Sequence, residues 1–185
     1  VRTMWYQEVD AAQKQIADHI VIENCRFLGL NSGGSGLFGL STKQDAPVHN
    51  FVFKNSTFHA NNLTRALITG LGSMTGELNV TIENCTFEGN VKASRSDVAA
   101  IQTIDTCTIS KCINNVDCVN FGDAYVAGLA IKANNSNITD CENNGDFSVN
   151  DSYIAGLVHT ASNCHIENCI NTGNITDAYE AAGIV

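Results

Sequence analysis

The sequence has little proline, little charge and no long apolar run. A single proline occurs in 185 residues, so backbone N–H donors are available almost throughout and long hydrogen-bonded ladders are permitted. Hydrophobic residues make up 44% of the chain and charged residues only 16%, which is typical of an ordered domain. No apolar run reaches the roughly 18 residues that a transmembrane helix needs, so we expect no membrane span.

Basic residues are also scarce. Ten Lys and Arg stand against 19 Asp and Glu, which gives a formal net charge of -9. A partner with a phosphate backbone requires clustered Lys and Arg. We therefore expect no nucleic acid partner.

A short motif, Ile22-Glu23-Asn24-Cys25, returns in altered form along the whole chain. The successive equivalents of Ile22 are separated by 31, 29, 27, 29 and 28 positions. They are Phe53, Ile82, Ile109, Ile138 and Ile166. A repeat of this length predicts a stacked, solenoidal architecture.

Within each repeat the apolar residues alternate with polar ones, which is strand behaviour. A polar corner follows, and Asn and Asp suit it because they tolerate left-handed backbone angles. The corner residues are Asn24, Asn55, Asn84, Lys111, Asp140 and Asn168. Later in each repeat comes a segment of small and aliphatic residues, such as Ala127-Gly128-Leu129, which we interpret as a further strand.

These patterns predict an all-β fold, a right-handed parallel β-helix of about six rungs of 27 to 31 residues, where a rung is one turn of chain. We expect the β-helix to occupy residues 20–185 and residues 1–19 to form an N-terminal leader or capping segment. For that segment we weigh a short helix over Ala11 to Ala17 against an unordered leader. Because the last residues stop within a repeat, we expect the chain to be part of a longer one.

Two motifs of this chain resemble the repeats of known protein families. Ile82-Glu83-Asn84-Cys85-Thr86-Phe87 resembles the pectate-lyase-like right-handed β-helix repeat, and Cys169-Ile170-Asn171-Thr172-Gly173 is similar to the GLUG-type repeats of bacterial surface proteins. The resemblance implies a secreted or cell-surface β-solenoid, often an adhesin or a spacer. It is specific for the fold and a poor guide to function.

The cysteines fall in columns. We expect five of them to stack on successive rungs as buried free thiols that fill the core, because their parallel Cβ directions suit disulfide bonds poorly. This core stack is Cys25, Cys85, Cys112, Cys141 and Cys169. A zinc site is disfavoured because no C-x-x-C pair occurs.

Carboxylates and tyrosines supply the candidate sites. Asp117 and Asp146, one repeat apart, are the only pair that we would test as catalytic carboxylates. An Asp-x-Tyr pattern recurs on three repeats and indicates either a sugar-binding or Ca²⁺-binding face, or solvated turn acids beside packed tyrosines. Its members are Asp123, Tyr125, Asp151, Tyr153, Asp177 and Tyr179.

The leading hypothesis is a non-enzymatic structural or adhesive segment of an extracellular or cell-surface repeat protein. One alternative is a carbohydrate-active enzyme, either a polysaccharide lyase or a glycoside hydrolase, or a tailspike-like glycan binder on the same scaffold. Another is a filament subunit that assembles end to end. The expected partners are glycans, another surface protein or further copies of the chain, and no cofactor is expected unless Ca²⁺ occupies the acidic positions.

Overall fold

A computed structural model describes residues 3–5, 17–18, 20–28, 38–40, 48–64, 66–69, 80–94, 97–122 and 124–185. Within these ranges all secondary structure is strand, and every strand pair is parallel. The strands stack as a β-solenoid, which confirms the all-β prediction. Its right-handed winding stays a prediction. No helix in the described part of the chain is long and apolar enough to cross a membrane.

The described strands form four parallel sheets of three or more strands, which run along the solenoid, and one separate two-stranded sheet. Sheet 1 contains Val21–Glu23, Phe51–Lys54, Val80–Glu83, Cys107–Ser110, Asn137–Thr139 and His165–Glu167. Sheet 2 contains Arg26–Leu28, Thr57–Leu63, Thr86–Ser94, Ile113–Phe121, Glu142–Asn143, Phe147–Asn150, Ile170–Asn171 and Ile175–Thr176. Sheet 3 contains Tyr125–Ala127, Tyr153–Ala155 and Glu180–Ala182. Sheet 4 contains Thr3–Trp5, Phe38–Leu40, Ile68–Thr69, Ile101–Asp105, Ala130–Asn134 and Val158–Ser162, while Ala17–Asp18 pairs separately with Val48–His49.

The predicted register is confirmed in sheet 1. Ile22 pairs with Phe53, and the column continues through the expected equivalents to Ile166. The rung count differs from the six expected, since the described residues form about four turns. The first repeats contribute strands to the sheets, but part of each lies outside the described ranges.

The polar corners behave as predicted. All six corner residues have a positive φ, between 50° and 56°. Asparagine fits because its short amide also bonds to its neighbour in the stack, as Asn84 Nδ2 does to Asn55 Oδ1 at 2.8 Å. Each corner thus turns the chain from sheet 1 into sheet 2.

Inside the solenoid, one column of side chains from sheet 2 changes from phenylalanine to asparagine halfway along. Phe27, Phe58 and Phe87 stack face to face, with ring centroids 4.6 and 5.2 Å apart. Asn114 follows Phe87 in the same register, and Asn143 and Asn171 continue the column. An aromatic ladder is therefore replaced by an amide ladder within one core.

The cysteine column lines the same interior. Cys85, Cys112 and Cys141 are buried, Cys169 is half-buried and Cys25 is exposed; all eight cysteines are free thiols. The Cys112 thiol is hydrogen bonded to the thiols of Cys141 and Cys85. These hydrogen bonds, together with burial, raise the pKa of Cys112. The same contacts lower the pKa of Cys85 and Cys141 against the opposing effect of burial.

Most of the N-terminal segment 1–19 lies outside the described residues. Two short strands within it are described, and Thr3–Trp5 pairs with Phe38–Leu40 at the start of sheet 4. Ala17, the last residue of the expected helix, lies in a strand with Asp18, whereas Ala11 to Ile16 are not described. The leader or capping role stays a prediction.

Candidate functional site

A bend between sheets 3 and 4 creates the candidate site. The segment Ala127-Gly128-Leu129, predicted as one strand, instead ends one strand at Ala127 and begins the next at Ala130, with Gly128 and Leu129 in a bend. The interpretation as a single strand was wrong because the chain bends at Gly128 and Leu129, where a Cβ atom on Gly128 would collide with Gly156 O and the Asn143 side chain. The two sheets meet at this bend in each of the rungs that contain Gly128 and Gly156.

The outer side of the bend has its own apolar cluster. Ala130 and Ile131 are consecutive strand residues and both are buried, at 0% and 4% exposure. Since neighbouring strand residues point to opposite faces, only one of them can face the core. Ile131 packs instead with Ala99 and Ala127 in a cluster separate from the main core. These three residues lie beneath the outer surface of the bend, and we call this surface, with the side chains along it, the elbow.

Tyrosines lie along one side of the elbow. Tyr125 and Tyr153 pair in register at the start of successive strands of sheet 3, with ring centroids 5.8 Å apart. Tyr153 and Tyr179 lie 5.5 Å apart in an edge-to-face arrangement. The three tyrosines are 44%, 38% and 67% exposed, so their rings are accessible along the row. Three of the sequence-predicted site residues are therefore brought together.

His159, on sheet 4, contacts the tyrosine row from the other side of the bend. Its ring centroid lies 4.3 Å from that of Tyr125, across the bend. Partial burial lowers the pKa of His159 below its ordinary 6.5, while the negative charge of Asp97 opposes this shift. The Asp97 carboxylate also accepts a hydrogen bond from the backbone N–H of Tyr125, at 3.1 Å. An acid, an imidazole and a phenol thus lie within one elbow.

A one-residue register shift distinguishes the last rung. Ala155 pairs with Ala182, yet Tyr153 pairs with Glu180 and not with Tyr179. The extra residue places a carboxylate beside the tyrosine row. A depression of about 170 Å³ lies there, lined by Tyr153, Ile154, Ala155, His159, Glu180, Ala181, Ala182 and Val185.

Two acidic members of the Asp-x-Tyr pattern lie in turns. Asp151 and Asp177 have φ values of 56° and 61° and occupy turn positions, where Asp is favoured for its local backbone bonding. Gly122, with φ 109°, takes the equivalent place one rung earlier. Asp123 lies outside the described residues. Ligand binding by these aspartates stays a prediction.

Asp117 and Asp146 bind the backbone of the neighbouring rung. Asp117 Oδ1 accepts a hydrogen bond from the N–H of Asp146 at 3.0 Å. Asp146 Oδ1 in turn accepts from the N–H and the side-chain amide of Asn174, at 2.8 and 3.0 Å. Both carboxylates therefore connect one rung to the next through hydrogen bonds. The catalytic role of Asp117 and Asp146 stays a prediction.

No group of three or more His, Cys, Asp or Glu side chains in the described ranges is arranged to hold a metal ion. The described cysteine column presents its thiols in a line, which differs from the convergent arrangement that Zn²⁺ requires.

No family model, curated protein or solved structure matches this chain. The elbow must therefore be interpreted from its own chemistry. Aromatic rings with accessible faces, a histidine and two carboxylates on one surface can stack against a ligand and hydrogen bond to it.

Sequence reasoning missed His159 and Asp97. His159 has no histidine above or below it, because its column equivalent one rung earlier is Ile131. His159 could have been found from its position directly after Val158. Strand alternation directs the side chain at this position outward, beside the predicted tyrosine row.

Proposed function

We propose that this chain is a non-enzymatic structural and adhesive segment of an extracellular, cell-surface repeat protein, and that it binds glycans at the elbow. The observation that carries the proposal is the accessible tyrosine row opposite His159. A row of exposed aromatic residues is unusual on a surface without a partner.

The elbow chemistry matches a sugar. A tyrosine ring offers a flat apolar face to the C–H groups of a pyranose, and its hydroxyl group can donate or accept hydrogen bonds. His159, Asp97 and Glu180 add polar groups near the same rings. The tyrosines repeat every 5.5 to 5.8 Å, which favours an extended oligosaccharide over a single compact ligand.

Charge narrows the ligand class. The chain carries a net charge of -9, and two charged groups that the described residues place near the rings are the carboxylates Asp97 and Glu180. Like charges across an interface oppose binding. Neutral or amino sugars are therefore favoured over sulfated or uronic acid chains.

The geometry of the carboxylates supports a non-enzymatic function. A glycosidase needs two carboxyl groups at a set separation on either side of a sugar. Asp117 and Asp146 are bound to backbone groups of the next rung, and no other pair in the described part of the chain was predicted from the sequence. The alternative enzyme, a polysaccharide lyase or a glycoside hydrolase, has no comparable observation in its favour.

A family relationship belongs to the same proposal. Residues 82–87 resemble the pectate-lyase-like repeat, and residues 169–173 are similar to the GLUG-type repeat of bacterial surface proteins. Both resemblances favour secretion or display at a cell surface.

The test is a glycan-array screen of the purified chain, with and without EDTA, followed by a reducing-end assay on every hit. We expect binding to neutral or amino-sugar oligosaccharides that persists in EDTA and releases no reducing ends. Release of reducing ends would overturn the non-enzymatic assignment, and loss of binding in EDTA would place a cation in the site. Absence of any hit would contradict the adhesive function.

A further inference from the structure

Two of the elbow tyrosines stand in one column between two carboxylates. Val98 forms a parallel bridge with Val126, so the residues directly before them also lie in register. The column continues through the strand pairs that join sheet 3 from rung to rung. Its members on successive rungs, which we call the outer column, are Asp97, Tyr125, Tyr153 and Glu180.

The side chains of the outer column point away from the core. Val98, Val126 and Ile154 directly follow its first three members and are buried in the main core. Neighbouring strand residues point to opposite faces of a sheet, so the residue before each of them points outward. The two tyrosine rings, with centroids 5.8 Å apart, are therefore accessible to a ligand between an acid on one side and an acid on the other.

The two carboxylates retain negative charge for a ligand. Asp97 Oδ1 accepts the backbone N–H of Tyr125 at 3.1 Å, which leaves acceptor capacity on the second carboxylate oxygen. Glu180 is exposed. Among the described residues, neither carboxylate forms a salt bridge with a basic side chain. His159 does not neutralise them at pH 7, because partial burial lowers its pKa below 6.5.

This combination of groups is suited to an organic cation. The face of an aromatic ring attracts an ammonium group within about 6 Å of its centroid. A carboxylate beside the ring adds a charge-assisted hydrogen bond to the same group. The exposed tyrosine faces also stack against a flat pyranose, so one sugar unit can use both the ring and the acid.

We propose that the outer column binds the protonated amine of an amino sugar, so that the ligand of the elbow is an oligosaccharide with free amines. This inference rests on the glycan binding proposed above and narrows its ligand class. A neutral sugar would cover Asp97 and Glu180 without an opposite charge, and burial of an unpaired charge is costly. An amino sugar supplies that charge.

The test is a calorimetric titration with two matched probes. One is a β-1,4-linked glucosamine oligosaccharide, buffered so that its amines are protonated, and the other is its fully N-acetylated counterpart of equal length. We expect the amine form to bind about 10-fold more tightly at low salt, the equivalent of one cation–π contact with an adjacent acid. This preference should shrink as salt is added, because salt screens exposed charges.

Charge-neutral variants locate the effect. Asp97→Asn keeps the acceptor for the Tyr125 N–H, and Glu180→Gln keeps the side-chain length. We expect each to reduce the preference for the amine form by about 3-fold, as for the loss of one exposed charge pair. Glu142→Gln is the matched control, since it removes the same charge on sheet 2 and should keep the preference. An equal reduction in this control would overturn the outer column as the site.

The outcomes separate this inference from the proposed function. Equal or tighter binding of the N-acetylated probe would overturn the ammonium site and leave glycan binding at the elbow in place. If neither probe binds, the inference is overturned, while hits with other sugars on the glycan array would still support the adhesive function. An oligolysine peptide with the same number of amines should bind more weakly, because it has no pyranose face to stack on the tyrosines. Equally tight binding of this peptide would overturn the choice of a sugar.

Discussion

Tyr125 and His159 contact each other across the bend between two sheets, with their ring centroids 4.3 Å apart. The two residues lie on successive rungs, since His159 follows Ile131 in register. Tyr125 belongs to sheet 3 and His159 to sheet 4. The elbow therefore depends on the stacking of whole rungs, and a substitution that disturbs the stack should also disturb the site.

The environment of His159 should be visible in its titration. Partial burial lowers the pKa of this imidazole below 6.5, and Asp97 counteracts the shift. We expect Asp97→Asn to move the NMR titration midpoint of His159 further down, because the opposing negative charge is removed. Tyr125→Ala should move it up, because the ring becomes more exposed. Movement in the opposite directions would show that these two residues do not set the environment of His159.

The same shift has a consequence for stability. The folded protein binds the His159 proton less readily than the unfolded chain, so the contribution of this residue is complete above pH 6.5. The contribution is lost as the pH falls from 6.5 toward the lower pKa of the folded state. The free energy of unfolding can be measured in urea at several pH values. We expect His159→Gln to reduce its dependence on pH in that window and to leave the dependence at higher pH unchanged.

Cysteine labelling should separate buried from accessible thiols. Cys25 is exposed and Cys164 and Cys169 are half-buried, whereas the other five cysteines are buried. We expect iodoacetamide to modify only the first three in the native protein, and all eight in denaturant. Burial raises the pKa of Cys107 and Cys118 to about 12, so these two should stay unmodified even in mildly alkaline buffer. A disulfide detected by mass spectrometry without reduction would contradict the free-thiol core.

The amide ladder should contribute strongly to stability. Asn143→Ala removes three side-chain hydrogen bonds and leaves the buried Asn114 amide without its acceptor. We expect a loss of about 2–4 kcal/mol in the free energy of unfolding, measured in urea. Asn144→Ala is the matched control, because Asn144 is exposed, and it should cost less than about 1 kcal/mol. Equal losses would show that the ladder has no special role.

Two glycines in one column should respond differently to alanine. A methyl group on Gly156 would collide with the backbone of the next rung and crowd Asn171, and we expect a destabilisation of about 1–3 kcal/mol. Gly183→Ala has open space around the new methyl group and should stay within about 0.5 kcal/mol of the wild type. Thermal unfolding of both variants decides this, and a neutral Gly156→Ala would contradict the close rung contact.

The sequence predicts the repeating parts of the fold well, because each is determined by residues close in the chain. Asn24 and Asn84 mark the corners because their side chains favour a positive φ. Ile82 and Ile109 align because the same motif surrounds both.

The elbow was harder to predict because it depends on relations between rungs and between sheets. Tyr179 keeps the Asp-x-Tyr spacing, yet the inserted residue before Ala182 shifts its pairing by one position. The strand ends at Ala127, although the apolar pattern continues through Leu129. Asp117 and Asp146 have the spacing of a functional ladder, but their carboxylates bond to the adjacent backbone, and no sequence pattern distinguishes these outcomes.

The most direct test of the central claim is an equilibrium titration of a glycan identified on the array against the wild type, Tyr153→Ala and Val119→Ala. Tyr153 lies in the middle of the tyrosine row, whereas Val119 is exposed on sheet 2 and is the control. We expect Tyr153→Ala to weaken binding by about 10-fold or more, the equivalent of one stacking contact, and Val119→Ala to bind like the wild type. If Tyr153→Ala binds the glycan as tightly as the wild type, the elbow is not the binding surface.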